Sequence, residues 1–490
     1  MSKKRVVIFF VIFIVVVIGF VVVAGGGSNQ HSLAQIEYPL APADEPINMV
    51  NEAILFNESK WTTNHTHDGE IIKVDDSYYV FSTDYMVGAD PTPGIMVRKS
   101  TDLVHWEFVG RVFESVPEEV SEHTNGATIF WAPDVVEMNN KFYLYYSVSE
   151  FGTKNSFIGL ATSDSIEGPW VDRGEVFKTS VQDDYAVNAI DPGIVFDRND
   201  QPWMVFGSYQ GGIFITELDR ETGKLMNPGD QGTMVANKGS DLHQPLEGPA
   251  IMYNNELDYF YLTLSYGWLE DTYNVRIGRS KEITGPYLDY NGNDLVDIAT
   301  RTGSPDVGTK IIGPYGFENG DDWQGTGHNG LLKDGDDYFI IHNARVERNK
   351  FWSHLHVRKL FWTEDGWPIA SPQRYAGETE QEIKSGNIIG EWEQIVFDRL
   401  DDRITFSKKL TLLENGKIND ETSEDYWELT NDNILRLYWH APDEAPNDYW
   451  VDSVIVATAW DWENWNETIV FSGLNQRYGE AIWGKLVVHD

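Results

Sequence analysis

Five segments of this sequence repeat one arrangement, and that repetition constrains the fold more than any other feature. Each has a polar residue beside Gly or Pro, a short apolar stretch, an acidic or Asn turn and an aromatic-rich strand. They begin at Asp68, Asp134, Asp191, Glu247 and His328. A second hairpin-like unit follows each of them, and the short β-branched and aromatic runs disfavour helices. Two hairpins per repeat make a four-stranded sheet, so the five repeats predict an all-β, five-bladed β-propeller.

The repeats also predict where polar residues meet. The first strand of each propeller blade lines the central channel, so residues at equivalent strand starts converge on one mouth of it. Taken singly, each of the five residues has a simpler interpretation as part of a turn or cap. Their recurrence favours a functional ring at the channel mouth.

The propeller is predicted over residues 51–377, after a polar, proline-containing linker at residues 28–50. The stretch ETEQEIKSGN leads out of it into residues 378–490. There, TLLENGKI gives a hairpin signal and several aromatic strands follow, which predicts a small β-barrel or sandwich domain. Carbohydrate binding, packing support and spacing all remain open as roles for this domain.

The N-terminus, residues 1–27, has the sequence pattern expected of an export signal. Lys3, Lys4 and Arg5 precede an uncharged apolar run at residues 6–24, about the length that spans a bilayer. The pattern predicts a signal peptide or a retained N-terminal membrane anchor, and hence an extracellular protein, secreted or anchored to the cell surface. The chain has no cysteine, which excludes a disulfide framework and a lipid-modified cysteine.

Charge and aromatic content restrict the ligand. A formal net charge of −40 repels nucleic acid and leaves no basic face for phosphates. The 18 Trp and 23 Tyr suit stacking against sugar rings, although most of them belong to the core. The charge fits a neutral ligand, a salty or calcium-bearing exterior, or a requirement for solubility alone. We expect the protein to be a monomer.

Carboxylates around a funnel suit the hydrolysis of a glycosidic bond. One carboxylic acid protonates the leaving oxygen, while a carboxylate across the sugar activates water or attacks directly. Crowding of like charges raises the pKa of one carboxyl and keeps it protonated.

Several motifs carry a family resemblance: HDGEIIKVDDSYYVF, FWAPDVV, NAIDPGIVFD, LEGPA and GTGHNG. Together they resemble glycoside hydrolase family 43, and within it the endo-acting arabinan 1,5-α-L-arabinosidases, including those with a second β domain. The resemblance covers about residues 60–375, and the five-bladed propeller of the family agrees with the repeat count. It implies an arabinan polysaccharide or arabino-oligosaccharides as substrate.

The resemblance also implies individual roles. Asp68 becomes the general base that activates water, and Glu247 becomes the general acid. Asp191 becomes the residue that keeps the pKa of the acid high and orients its side chain. Because the family inverts configuration, the two catalytic carboxyls are expected about 6.5–9.5 Å apart. Family 43 motifs that contact sugar contain Trp131, Asn188 and Ser208.

His328 of GTGHNG matches a histidine that binds a central metal, usually one calcium ion, with water completing the shell. Calcium prefers oxygen ligands, so a histidine that hydrogen-bonds Asp68 without a metal is the alternative. The chain also departs from the family in having Asp68-Gly69 instead of Asp-Pro, and GTGH instead of GPGH. Both changes keep the functional side chain but bear on loop shape.

Two rival functions remain. One is an exo-acting α-L-arabinofuranosidase or β-xylosidase of the same family, since no sequence rule separates an open groove from a blocked pocket. The other is a propeller that binds glycan without cleaving it. The joint presence of Asp68, Asp191 and Glu247 argues against the second, because binding requires no acid–base pair.

Overall fold

The computed structural model describes residues 36–43, 55–238, 246–296 and 307–488. Within these ranges the chain forms 29 β-strands and a single α-helix, α1 (Glu118–His123). Three short 3-10 turns lie at Glu58–Lys60, Ser385–Asn387 and Pro446–Asp448. The prediction of an all-β, five-bladed propeller followed by a C-terminal β domain is confirmed.

Each blade is an antiparallel meander of four strands. Blade 1 contains β1 (Glu70–Val74), β2 (Ser77–Ser82), β3 (Met96–Ser100) and β4 (Glu107–Arg111). Blade 2 contains β5 (Trp131–Met138), β6 (Lys141–Ser149), β7 (Ser156–Ser163) and β8 (Val171–Thr179). Blade 3 contains β9 (Gly193–Phe196), β10 (Pro202–Phe206), β11 (Ile213–Glu217) and β12 (Thr233–Ala236).

Blade 4 contains β13 (Leu246–Asn254), β14 (Tyr259–Tyr266), β15 (Asn274–Ser280) and β16 (Thr309–Ile312). Blade 5 contains β18 (Trp323–Asp334), β19 (Asp337–Val346), β20 (Asn349–Trp362) and β21 (Pro368–Ala370). Its sheet is extended past β18 by β17 (Tyr315–Gly316) and β23 (Thr405–Phe406).

The innermost strands close into a ring around the channel. Strands β1, β5, β9, β13 and β18 contact one another in that order, and β18 returns to β1. The chain before blade 1 also joins blade 5, where the backbone N–H of Leu355 donates to the carbonyl of Thr63 at 2.9 Å. Apolar residues fill the spaces between consecutive blades, so the core consists of layers rather than one central mass.

The C-terminal domain is one seven-stranded sheet in the order β24-β22-β29-β28-β27-β26-β25. Its strands are β22 (Gly390–Val396), β24 (Lys408–Leu412), β25 (Tyr426–Leu429), β26 (Ile434–His440), β27 (Tyr449–Asp461), β28 (Asn466–Leu474) and β29 (Ala481–Leu486). Phe397 and Trp483 of this domain share one hydrophobic cluster with Tyr315 and Trp352 of the propeller side. The domain therefore packs on the propeller through a common core.

A buried ion cluster reinforces the same contact. The Lys485 ammonium lies 3.0 Å from Glu393, 3.2 Å from Asp461 and 3.0 Å from Glu463. Glu463 also accepts a hydrogen bond from the Gln373 amide, 2.7 Å away on the propeller side. Because a buried cation is costly unless it is paired, these partners hold the start of the β27–β28 turn in place.

Part of the segment predicted as a linker is anchored. Ile36 and Tyr38 pack against the core of the C-terminal domain. The backbone N–H of Glu37 donates to Gln381 Oε1 at 2.8 Å. Residues 6–24, predicted as an apolar signal or anchor, lie outside the described residues. In the part of the chain that is described, no helix is long and apolar enough to cross a membrane.

Candidate active site

Three of the predicted site residues occupy the same strained backbone position in their blades. Asp68, Asp191 and His328 have φ of 50°, 57° and 47°, and Gly248, which follows Glu247, has φ of 57°. Residues other than glycine rarely adopt this left-handed backbone conformation. Backbone strain of this kind is concentrated at functional sites. The bend lies just before or within each innermost strand and turns these residues toward the channel mouth.

Neighbouring side chains hold these bends. The backbone N–H of Asp191 donates to Ser147 Oγ at 3.1 Å, and that of His328 donates to Ser265 Oγ at 2.7 Å. Ser147 and Ser265 lie on the second strands of blades 2 and 4. Each bend is therefore fixed by the preceding blade, which couples the geometry of the site to the packing of the propeller.

Asp68 is surrounded by groups that stabilise its negative charge. His67 Nδ1 lies 2.6 Å and His328 Nδ1 lies 2.9 Å from Asp68 Oδ1. The Thr83 hydroxyl donates to Asp68 Oδ2 at 2.7 Å. Burial alone would raise the pKa of Asp68, but His328 and His67 outweigh it and hold the pKa well below its usual value. Asp68 is therefore an ionised carboxylate.

The surroundings of Glu247 shift its pKa in the opposite direction to that of Asp68. Burial is the largest influence and raises the pKa of the Glu247 carboxyl, with a smaller contribution from the charge of Asp68. The Ser208 hydroxyl donates to Oε2 and the Tyr273 hydroxyl to Oε1, both at 2.7 Å, and these bonds lower the pKa in part. Both oxygens of the carboxyl are thus fixed in direction while the group keeps affinity for a proton.

Asp191 lies close to both Asp68 and Glu247. Its Oδ2 accepts a hydrogen bond from the backbone N–H of Gly248 at 3.1 Å, directly after Glu247. Burial raises the pKa of Asp191 to about 8, His328 opposes the rise, and the charges of Glu247 and Asp68 reinforce it. Two buried carboxyls with raised pKa values titrate as a pair, because the charge of each disfavours ionisation of the other.

His328 fits a metal site with a single protein ligand. Its Nδ1 faces Asp68, and among the described residues its Nε2 has no hydrogen-bond partner. A metal-binding histidine commonly donates its other ring N–H to a carboxylate, as this geometry allows. The described residues include no group of three or more His, Asp or Glu placed to hold a metal ion, so a carboxylate cage does not fit.

The histidine also fits a role without a metal. Burial lowers the pKa of His328, but Asp68, Asp191 and Glu247 outweigh that effect and raise the pKa to about 10. A proton on Nε2 would then occupy the position that a metal would need. Either species places positive charge beside Asp68.

Comparison with known proteins identifies the family. The model of the family described as "Glycosyl hydrolases family 43" matches residues 62–368. This protein belongs to glycosyl hydrolase family 43. A second family model, described as "C-terminal lipocalin-like domain", matches residues 372–484. The resemblance deduced from the motifs is therefore confirmed, and the chain is a glycoside hydrolase.

Two relatives of this family 43 hydrolase match over most of the chain, and a third matches over a shorter part of it. The extracellular endo-alpha-(1->5)-L-arabinanase 2 of Bacillus subtilis is 32% identical over 85% of this chain and 92% of its own. The crystal structure of the endo-1,5-alpha-L-arabinanase of Thermotoga petrophila superposes with a TM-score of 0.75 at 29% identity, covering 87% of this chain and 99% of that one. An extracellular exo-alpha-(1->5)-L-arabinofuranosidase of Cellvibrio japonicus is 31% identical over 65% of this chain and 90% of its own.

Asp134 of this family 43 hydrolase lies at a different depth from Asp68, Asp191 and His328. Glu70 pairs with Phe81 and Asp134 pairs with Tyr145, so Asp134 is equivalent to Glu70 rather than to Asp68. It therefore lies two residues further into the channel. Burial raises the pKa of Asp134 to about 7, and burial together with the charge of Asp134 raises that of Glu70 well above its usual value.

The three residues predicted to contact sugar have different surroundings. Trp131 is half-buried, and its ring lies 6.2 Å from the exposed Phe151 ring. Asn188 is buried and accepts a hydrogen bond from Ser156 Oγ at 2.7 Å. Ser208 is buried against Glu247, so its contact within the protein is with the predicted acid.

Sequence reasoning missed several residues of the site. Tyr273 and Thr83 contact predicted catalytic carboxyls directly, although no motif marks them. The Tyr209 hydroxyl is buried and has no hydrogen-bond partner among the described residues. Burial raises the pKa of Tyr209, and the charges of Glu247 and Asp191 raise it further. His67 stood beside Asp68 in the sequence, which was the one available signal.

Proposed function

We propose that this family 43 hydrolase cleaves internal α-1,5-L-arabinofuranosidic bonds of arabinan with inversion of configuration. The observation that carries the proposal is the opposite electrostatic setting of Asp68 and Glu247 at one channel mouth. An ionised base and a protonated acid are the two groups that hydrolysis with inversion requires. The Bacillus subtilis and Thermotoga petrophila relatives are both named endo-arabinanases and match over 92% and 93% of their length.

Asp68 is the proposed general base. Its low pKa keeps it ionised at neutral pH, and its contacts with His67, His328 and Thr83 hold the carboxylate in one orientation. In the proposed reaction a water molecule between Asp68 and the anomeric carbon loses its proton to Asp68 as it attacks. The strained bend at Asp68 supports this role, since it directs the side chain to the mouth.

Glu247 is the proposed general acid, which donates its proton to the departing glycosidic oxygen. The hydroxyls of Ser208 and Tyr273 can both donate to the carboxylate that this transfer leaves behind. Hydrogen bonds to a charge that develops during the reaction favour the transition state over the ground state. Asp191 is the proposed modulator. The charge of Glu247 raises the pKa of Asp191, and because the interaction between two charges is mutual, an ionised Asp191 would raise the proton affinity of Glu247. The bond from the Gly248 N–H to Asp191 also orients the backbone that follows Glu247.

We further propose one calcium ion bound through His328 Nε2, with water as its remaining ligands. Such an ion supplies positive charge that stabilises ionised Asp68 and orders water at the site. Asp68 in turn would orient the imidazole through its bond to Nδ1. Trp131, Asn188 and Ser208 are proposed to contact the sugar.

The proposed setting of the enzyme is extracellular, either secreted or anchored through the N-terminal segment, and its proposed state is monomeric. The relatives from Bacillus, Thermotoga and Cellvibrio are all named extracellular proteins. Mass spectrometry of the mature N-terminus would show whether residues 1–27 are removed. Size-exclusion chromatography with light scattering would measure the oligomeric state.

The direct test is the product pattern on linear arabinan, branched arabinan and xylan. A ladder of arabino-oligosaccharides supports endo cleavage. Release of arabinose alone supports the exo-acting alternative, which the Cellvibrio japonicus relative represents. Xylose from xylan would indicate a β-xylosidase, and binding without any product would indicate a non-catalytic propeller. Proton NMR of the first product anomer would report inversion or retention.

A further inference from the structure

A polar cavity of about 530 Å³ lies where the C-terminal hairpin between β27 and β28 meets blade 5. Trp323, Trp462 and Trp465 line it, together with the charged residues Asp321, Arg348, Arg374 and Glu463. Among the described residues, none of the predicted catalytic carboxyls contributes to this lining. Its volume is within the usual range for small-ligand pockets, which favour junctions between domains.

Trp465 has an unusual backbone for its residue type. It lies in the turn between β27 and β28 with φ of 58°, a conformation that turns normally give to Gly, Asn or Asp. A bulky residue in that conformation is strained and persists only where the surroundings impose it. The indole is nevertheless 38% exposed, so burial in a core does not account for the choice of tryptophan.

The turn is rigid. The Trp462 indole N–H donates to the carbonyl of Arg374 at 2.9 Å, and the Trp462 backbone N–H donates to Gln373 Oε1 at 3.1 Å. The Trp465 ring meets the Trp462 ring edge-on, with centroids 5.5 Å apart. The exposed indole is therefore held in one orientation before any ligand arrives, which reduces the entropy cost of binding.

The charges of the lining balance. Asp321 pairs with Arg348, Glu463 pairs with Lys485 at 3.0 Å, and the Arg374 guanidinium stacks on the Trp462 ring at 3.9 Å. Two acids face two arginines, so the cavity has no excess charge to select an ion. His354, which lines the cavity, has a buried Nε2 with no hydrogen-bond partner in the described part of the chain.

From these observations we infer that the cavity is a second glycan-binding site, separate from the catalytic cluster, in which a sugar ring stacks on Trp465. Paired charges and an exposed indole suit a neutral ligand rich in hydroxyl groups. That the glycan is arabinan rests on the proposed function. A polymer held there would raise the effective concentration of its chain near the channel mouth of the same molecule.

The test compares full-length variants on polysaccharides. Trp465→Asn removes the indole but keeps a residue that tolerates positive φ, so the turn can still form. Trp465→Tyr restores an aromatic ring. Tyr478→Ala is the matched control, because Tyr478 is a 43% exposed aromatic residue beyond the opposite end of β28. Thermal unfolding of each variant reports folding.

Affinity electrophoresis through soluble arabinan measures retention, and steady-state kinetics on arabinan separate KM from kcat. We expect Trp465→Asn to weaken retention and raise KM roughly five- to ten-fold, as loss of one stacking contact would do, with a smaller change in kcat. Trp465→Tyr should recover most of the retention, and Tyr478→Ala should match the wild type.

The outcomes separate this site from the proposed function. Normal arabinan cleavage with equal retention by Trp465→Asn and Tyr478→Ala would overturn the second site while leaving the proposed function intact. If the enzyme cleaves no arabinan, but its retention on xylan or another neutral glycan depends on Trp465, the site stands and the substrate is wrong. Retention on no neutral glycan would overturn the site as well.

Discussion

Asp68, just before the first strand of blade 1, and His328, within the first strand of blade 5, occupy equivalent strained positions, and their side chains meet at the channel mouth. Asp68 Oδ1 lies 2.9 Å from His328 Nδ1, although 260 positions separate the two residues in the sequence. Closure of the propeller brings β1 against β18 and so creates this pair. The ionisation of Asp68 therefore depends on the fold as a whole.

Loss of the base or the acid should reduce turnover on arabinan by orders of magnitude. Positioned acid–base groups contribute about 10²–10⁴-fold each, so Asp68→Ala and Glu247→Ala should each lower kcat by that amount. Asp134→Asn is the matched control. Asp134 is a buried acid of the same channel, but its position is equivalent to Glu70, two residues after Asp68. Near-wild-type kcat in both alanine variants would contradict the assignment.

Asp191→Asn should move the basic limb of the pH–rate profile to lower pH. The acid must be protonated, so activity is lost as pH rises through the pKa of Glu247. The charge of Glu247 raises the pKa of Asp191. Because the interaction between two charges is mutual, removal of the Asp191 charge should lower the pKa of Glu247. The profile of kcat/KM between pH 5 and 10 measures the shift. An active variant with an unchanged basic limb would exclude the modulator role.

Tyr273→Phe should move the same limb in the opposite direction. The Tyr273 hydroxyl donates to Glu247 Oε1 at 2.7 Å and lowers the pKa of that carboxyl, so its removal should raise the pKa and extend activity to higher pH. The maximal kcat should fall, because the acid loses one of its two orienting bonds. Ser208→Ala removes the other donor and should produce a shift of the same sign. A shift to lower pH in both variants would show that these hydroxyls do not stabilise the carboxylate.

The sequence predicted the fold and most of the candidate site because both follow from repetition. Five similar segments define five blades, and equivalent strand starts must meet at the axis. Side chains on a strand alternate between its two faces with a period of two. Asp134 lies two residues later in its blade than Asp68 does, so it faces the channel from the same side of the strand but at a different depth. Similarity of the segments alone cannot distinguish these two registers.

Tyr273 and Thr83 could not be predicted for another reason. Thr83 follows the second strand of blade 1 and Tyr273 precedes the third strand of blade 4, away from the repeated strand starts. Their approach to Asp68 and Glu247 depends on tertiary packing, which leaves no local pattern. The same holds for Ile36 and Tyr38, which lie in the segment predicted as a linker. Their side chains pack against the core of the C-terminal domain.

The last prediction concerns the positive charge at His328. If calcium binds there, prolonged chelation should cut activity strongly, and added calcium should restore it. His328→Ala should lose activity that calcium does not restore. Because one imidazole and water would be its ligands, removal of the ion should lower the melting temperature only modestly in comparison with the loss of activity.

Elemental analysis of active protein distinguishes this from the alternative in which His328 is protonated. A pKa of about 10 would keep the imidazolium beside Asp68 through neutral pH, and activity would then resist chelation. In that case activity should decline as pH rises through the pKa of His328, because the loss of the proton removes the charge that stabilises ionised Asp68. Active protein without bound metal would exclude the calcium proposal and leave His328 as the hydrogen-bonding cation of the site.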